Sequence, residues 1–187
     1  MILLINVSKE RLHYYEFVKP IEDILKRVDK KYFIKNYFEI TEGDLKKCSG
    51  VIICGTSLRD NEYLGHYHKF DWLLNYEKPV LGICAGMQII GMIFGNSYRT
   101  FGKGIFREKL EIGFYKENFE KEFLGLKGEQ EVYHLHNNYI KFGKEFEVIS
   151  KNDEVIQTVK HRDKEIYGVL FHPEVRNKEI IVEFCRF

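Results

Sequence analysis

The chain has 187 residues, 44% of them hydrophobic and 30% charged, with a formal net charge of +1. That is enough apolar material for a core, and it gives no field that would draw the chain to nucleic acid or to an anionic membrane. No apolar stretch reaches the ~18 residues that crossing a bilayer takes, and the opening Met-Ile-Leu-Leu-Ile-Asn lacks the basic leader and small-residue cleavage site of a signal peptide.

Ile2–Ile5 reads as a strand at the start of the chain. Pro20 to Val28 carries apolar residues at helical spacing, and the basic cluster Lys26-Arg27…Lys30-Lys31 is its solvated end. Tyr32–Phe38 is a second candidate strand. Val51–Cys54 is a short, wholly apolar run stopped by Gly55, the pattern of a strand buried on both faces. Phe70–Asn75 suggests a helix, which Pro79 cannot continue. Val80–Cys84 is another buried strand, followed by a helix from about Gly86 to Phe94. Beyond Gly95 the helix signals fade. Residues 105–115, 131–135 and 145–159 alternate or are rich in β-formers, so antiparallel strands are expected there. Ile166–Phe171 is a last buried strand and Lys178–Phe184 a short closing helix. The β-α-β-α rhythm predicts an α/β fold with a mainly parallel sheet and helices on both faces. With no repeat, low-complexity segment or linker, residues 1–187 read as a single domain.

The stretch Pro79-Val-Leu-Gly-Ile-Cys-Ala-Gly-Met-Gln88 places Cys84 between two glycines at the end of a strand and the start of a helix. Ligands of open parallel sheets bind beyond the carboxyl ends of the strands. Glycines at 82 and 86 would relieve crowding around a tight turn, as at a nucleophile elbow. The helix N-terminus would favour a thiolate, and the Ala85 N–H would point to where an oxyanion forms. The pentapeptide alone leaves a packed structural cysteine open, because a nucleophile also needs a base. Phe171-His172-Pro173-Glu174 supplies one: His172 stands at the end of a strand, Pro173 stops the ladder, and Glu174 can turn back to orient the imidazole. The four cysteines (Cys48, Cys54, Cys84 and Cys185) show neither metal-type spacing nor a disulfide framework, which fits a reducing cytoplasm. Cys54 reads as a small packed residue rather than a second nucleophile.

"GICAGMQ" joined to "YGVLFHPEV" resembles the class I, triad-type glutamine amidotransferases, with Cys…His-x-Glu in matching order and the likeness running from about residue 50 to 175. It implies their flavodoxin-like fold, with a few antiparallel strands in the second half. Within the family the nearest likeness is to the glutaminase domain or subunit of GMP synthetases. Val132-Tyr-His-Leu-His136-Asn-Asn resembles the His-x-Asp-type segment lining the glutamine pocket there. The resemblance implies a nucleophilic Cys84, a general acid–base His172 and an orienting Glu174. It further implies an oxyanion hole from the N–H groups of Gly55 and Ala85, and glutamine contacts from Gln88, Leu135, His136 and Asn137. It implies no cofactor, and as partners glutamine and a separately encoded, ATP-dependent synthetase that receives the ammonia. A stand-alone γ-glutamyl hydrolase or peptidase with the same triad, and a catalytically silent regulatory subunit, are the alternative readings.

Two segments depart from the family pattern. Cys54-Gly55-Thr56-Ser57 stands where Gly-Gly-Pro is usual, so a less rigid oxyanion loop is expected. Asn6-Val-Ser-Lys-Glu-Arg-Leu-His-Tyr-Tyr15 follows the first strand without the usual glycine-containing turn. His134 and His136 alternate along one strand and can share a face. With no carboxylate or cysteine beside them in sequence, they are not expected to bind metal. Gly65-His-Tyr-His68 reads as an exposed loop or helix start.

Overall fold

The computed structural model describes residues 1–95 and 107–187. Its strands are β1 (Ile2–Asn6), β2 (Tyr32–Asn36), β3 (Gly50–Ile53), β4 (Val80–Ile83), β5 (Arg107–Phe123), β6 (Leu126–Tyr139), β7 (Phe146–Asn152), β8 (Val155–His161) and β9 (Ile166–Val169). Its α-helices are α1 (Lys19–Arg27), α2 (Glu42–Lys47), α3 (Glu62–Gly65), α4 (Ala85–Phe94) and α5 (Glu179–Phe184).

Seven strands form one sheet in the order β2-β1-β3-β4-β9-β8-β7. The pairs β1–β2, β1–β3, β3–β4 and β4–β9 are parallel, while β8 runs antiparallel to both β9 and β7. Period-2 alternation decides what each face buries. Ile2 and Leu4 pack with Ile21 and Leu25 of α1 and Phe184 of α5. Leu3 and Ile5 point the other way, into a second core with Met87 and Ile90 of α4. A one-residue slip of β1 would exchange the two sets, and each of these side chains is worth roughly 1.5–3 kcal/mol when buried. The expected architecture is therefore present: a mainly parallel sheet, helices on both faces and antiparallel strands late in the chain. Among the described residues no helix is long and apolar enough to cross a membrane.

The antiparallel hairpin β5–β6 stands apart as a two-stranded sheet. It turns at Leu124-Gly125, both at positive φ, and buries Phe119, Phe123, Leu126 and Val132 against the α1/α5 side of the main sheet. This hairpin extends well beyond the expected strands at 105–115 and 131–135; residues 105 and 106 lie outside the described residues. The 145–159 stretch divides into β7 and β8 around Asp153, which adopts a φ of 51°.

Three elements differ most from expectation. The strand from Tyr32 ends at Asn36 rather than Phe38, because the Asn36 side chain accepts a hydrogen bond from the Phe38 N–H (3.0 Å) and starts a tight turn. The region of Phe70–Asn75 is a 3-10 run over Tyr67–Asn75, not an α-helix. Three residues per turn eclipse Phe70 and Leu73, and both enter the same core. The last parallel strand stops at Val169 instead of Phe171. The chain then leaves the sheet, with the His172 N–H donating to the Tyr133 carbonyl of β6 (2.8 Å).

Candidate active site

The parallel registers bring the carboxyl ends of β1, β3, β4 and β9 to one edge of the sheet. Cys84 follows β4 directly and caps α4 with φ 48° and ψ −102°, a conformation that L-residues avoid and that costs on the order of 1–3 kcal/mol. Its N–H donates to the Val169 carbonyl (2.8 Å) and its carbonyl accepts from the Gln88 N–H (3.0 Å), so strand and helix grip the turn from both sides. The glycine at 86 is a packing requirement. A Cβ there would lie 2.3 Å from the Ile53 carbonyl oxygen, so any other residue would push α4 off β3.

His172 and Glu174 arrive from the neighbouring strand end, both buried. Glu174 accepts a hydrogen bond from His172 Nδ1 at 2.7 Å, which fixes the proton on that nitrogen because an ionised carboxylate can only accept. The other ring nitrogen, Nε2, is buried without a hydrogen-bond partner among the described residues. Cys84 Sγ turns toward the Leu135 carbonyl at 3.7 Å. Burial works against a charged imidazole, but the Glu174 carboxylate and the Cys84 sulfur outweigh it and hold His172 well above the ordinary histidine range. Phe17, in a π-type turn just before α1, lies against the imidazole with ring centroids 5.3 Å apart.

The loop after β3 is anchored, contrary to the expectation of a slack segment. Thr56 is buried, with Oγ1 3.0 Å from Asp60 Oδ2 and 3.1 Å from Ser8 Oγ. Having one proton, the hydroxyl donates to the carboxylate and accepts from Ser8. Asp60 Oδ2 also accepts from the Lys9 N–H (2.8 Å) and meets His13 Nδ1 at 3.3 Å. Side-chain hydrogen bonds thus take over the restraint a proline would give, and the unusual segment after β1 supplies three of the partners. Gly55, beside Thr56, runs so close to the site that a Cβ on it would sit 2.7 Å from His172 Cε1.

A narrow pocket opens onto Cys84 between Leu58, Tyr63, Gln88, Leu135 and Asn137, and Ala85 and His136 also reach it. Its open volume is about 10 Å³, room for about one water. The Gln88 amide lines the pocket but is already engaged at both ends. Its Oε1 accepts from the Tyr63 hydroxyl (2.5 Å) and its Nε2 donates to the Asn138 carbonyl (3.0 Å). Burial first, then the Cys84 and Asp60 charges, push Tyr63 well above the usual phenol range, so it remains a donor. The Asn137 amide donates to the Leu58 carbonyl at 3.4 Å. The predicted residues are therefore brought together, whereas Phe17, Thr56, Asp60 and Tyr63 were not anticipated. No local pattern marks them: Phe17 comes from the turn before α1 and the other three from the stretch after β3, and their partners lie far off in sequence. Cys54 is fully buried, and desolvation, then Glu174, raise its thiol well above the usual range, as suits a packed residue.

The expectation that His134 and His136 lack a carboxylate is overturned. The hairpin sets Glu111 of β5 opposite His136 of β6 and brings Glu117 alongside, all buried. Glu111 Oε2 lies 2.9 Å from His134 Nδ1 and 3.1 Å from His136 Nε2. Burial alone would raise the Glu111 carboxyl, but His136 and His134 hold it down at about 2.

Residues 13–184 match the family model described as glutamine amidotransferase class-I. A glutamine-hydrolyzing GMP synthase subunit of Pyrococcus furiosus is 31% identical over 156 residues, 78% of this chain and 77% of that protein. The corresponding protein of Methanosphaera stadtmanae is 35% identical over 107 residues, and the match spans little more than half (56%) of each chain. A crystal structure from Thermoplasma acidophilum, provisionally described as a subunit of GMP synthase, superposes with a TM-score of 0.83 over 99% of this chain and 92% of its own. At 21% identity that likeness speaks for the fold.

Proposed function

Because the chain belongs to the class-I glutamine amidotransferases, we propose that it hydrolyses the side-chain amide of glutamine at Cys84 and passes the ammonia to a separate synthetase. The names of its relatives point to the GMP-forming synthetase. One observation carries the reading: a cysteine at positive φ heads a helix beside a buried histidine whose Nδ1 is held by Glu174 and whose Nε2 has no aligned hydrogen-bond partner among the described residues. The unpartnered Nε2 is the atom that takes the thiol proton. Sγ then attacks the amide carbon, and negative charge collects on the former carbonyl oxygen within reach of the N–H groups of Ala85 and Gly55. His172 returns the proton to the leaving nitrogen, ammonia departs and a γ-glutamyl thioester remains. The same nitrogen next takes a proton from water, which attacks the thioester, and glutamate and the free thiol are regenerated. Glu174 stays ionised throughout and stabilises the imidazolium. The backbone of Leu135, His136 and Asn137 receives the amino-acid end of the substrate, while Gln88 braces that wall against α4. The reaction needs no cofactor, and residues 1–187 act as one glutaminase domain in the cytoplasm.

The test is ammonia release from glutamine together with labelling by diazo-oxo-norleucine, a glutamine-like electrophile. Label on Cys84 and loss of turnover in Cys84→Ala are expected, with Glu174→Gln less damaging than His172→Ala. Label on Cys54 would overturn the assignment. Turnover of γ-glutamyl compounds with bulky leaving groups, unaffected by a synthetase, would favour the stand-alone hydrolase. An unreactive Cys84 with or without synthetase would favour a silent regulatory role.

A further inference from the structure

The polar cluster inside the β5–β6 hairpin is larger than a hydrogen-bonded network explains. Glu111, Glu117, His134 and His136 are each at most 3% exposed. Both oxygens of Glu117, Nε2 of His134 and both ring nitrogens of His136 are buried with no hydrogen-bond partner among the described residues. Proteins leave only a few such atoms per hundred residues, and five in one cluster call for a ligand. Glu111 Oε2 does hydrogen-bond to His134 Nδ1 (2.9 Å), but two further contacts are close and not aligned as hydrogen bonds: His136 Nε2 lies 3.1 Å from Glu111 Oε2, and His134 Nε2 lies 3.3 Å from Glu117 Oε1.

We propose that Glu111, His134 and His136 form a binding site for a divalent transition-metal ion of the zinc type. One donor atom from each lies within 4.8 Å of the others. A tetrahedral zinc site with bonds of about 2.0–2.1 Å separates its ligand atoms by roughly 3.3 Å. Glu111 Oε2 is already 2.9 Å from His134 Nδ1 and 3.1 Å from His136 Nε2, so an ion requires these two edges to widen by a few tenths of an ångström, with the edge between the histidines, within 4.8 Å, set by rotation of the two rings. Two imidazoles and one carboxylate suit a borderline ion better than magnesium or calcium, which take oxygen ligands. The surroundings match the outer shell that such sites use. With Nδ1 on the metal, His134 turns its Nε2–H toward Glu117, and Tyr115 stacks on the same ring (centroids 4.4 Å apart, 14° between planes). Gln157 Nε2 donates to Glu111 Oε2 at 2.8 Å and orients the carboxylate. An irregularity in the strand pairing just before Glu111 re-aims the chain at this point. The ion pins β5 to the segment of β6 that carries Leu135 and Asn137 past Cys84.

The site is closed over, so loading is tested by refolding the full chain, freed of metal by a chelator, with Zn²⁺ or Co²⁺ and then removing free ion. One equivalent per chain is expected, and the Co²⁺ form should show the visible absorption of a four-coordinate site with nitrogen and oxygen ligands, a water completing the three from the protein. Glu111→Gln and His134→Gln should each abolish this spectrum, and Glu117→Gln should weaken affinity by about 10- to 100-fold. Wild-type protein that refolds yet retains neither ion would overturn the proposal, whatever the variants do. So would retention that survives Glu111→Gln but is lost when the surface pair His66 and His68 is changed to alanine.

Discussion

Gly55→Ala should disable the enzyme by moving its base. The added Cβ would lie 2.7 Å from His172 Cε1, 3.3 Å from His172 Nδ1 and 3.4 Å from Cys84 Cβ. Carbon atoms in contact sit about 3.5 Å or more apart, so the imidazole must retreat by roughly 0.8 Å. It has little room to do so. Its Nδ1 is bonded to Glu174, its backbone N–H to Tyr133, and the tilted Phe17 ring lies against it. Misplacement by about 1 Å costs on the order of 100-fold in rate, and overpacking of this kind costs about 1–3 kcal/mol of stability. Steady-state glutamine hydrolysis should therefore show kcat reduced about 100-fold with KM little changed, since the wall that receives the amino-acid end is untouched. Labelling of Cys84 by diazo-oxo-norleucine should slow in parallel. Gly65→Ala is the matched control, because a Cβ there meets nothing within 4 Å among the described residues. A folded Gly55→Ala protein with wild-type kcat would refute the placement of His172 and with it the role of this loop.

Three further outcomes follow from the same geometry. Cys84→Gly should abolish turnover yet raise stability by about 1 kcal/mol in urea unfolding, because glycine accepts the positive φ that cysteine holds under strain; a lower midpoint would mean the turn is unstrained. Thr56→Val, close to isosteric, removes the hydroxyl between Asp60 and Ser8 and should cost about 1–2 kcal/mol and lower kcat; unchanged stability and kcat would show that the loop is held by something else. His172 is held above its ordinary value of 6.5 by Glu174 and Cys84 against the effect of burial. The stability it contributes is therefore fully present below about pH 6.5 and lost as pH rises through the higher folded-state value. Unfolding midpoints of wild type and His172→Gln should converge as pH rises above neutrality, and a gap that widens instead would contradict the sign of the shift.

Much of the fold is legible in the sequence because its causes are local. Wholly apolar runs such as Val51–Ile53 and Val80–Ile83 can be satisfied only by strands buried on both faces, and their alternation with helical patterns implies a covered parallel sheet. The turn at Cys84 is legible for the same reason: Gly82 and Gly86 record the close approach of α4 to the sheet within five residues of chain. His-Pro-Glu after the last parallel strand likewise carries its own orienting carboxylate two residues away. The 3-10 run at Tyr67–Asn75 escaped because its apolar spacing of three also occurs in an α-helix, and the core that Phe70 and Leu73 enter decided between them.

Other features depend on pairing across long stretches of chain. Only the folding of β6 back along β5 sets Glu111 against His134 and His136, 23 and 25 residues later, and lays Leu135 over Cys84. Only the packing of the Asn6–Tyr15 segment brings Ser8 and Lys9 to Thr56 and Asp60, some fifty residues on, and makes firm a loop whose own sequence lacks proline. Sequence patterns record what a residue needs within one turn or one strand. Which polar groups find one another is settled by how elements cross, and a buried carboxylate or hydroxyl meets its partner only once the hydrophobic faces have fixed that crossing.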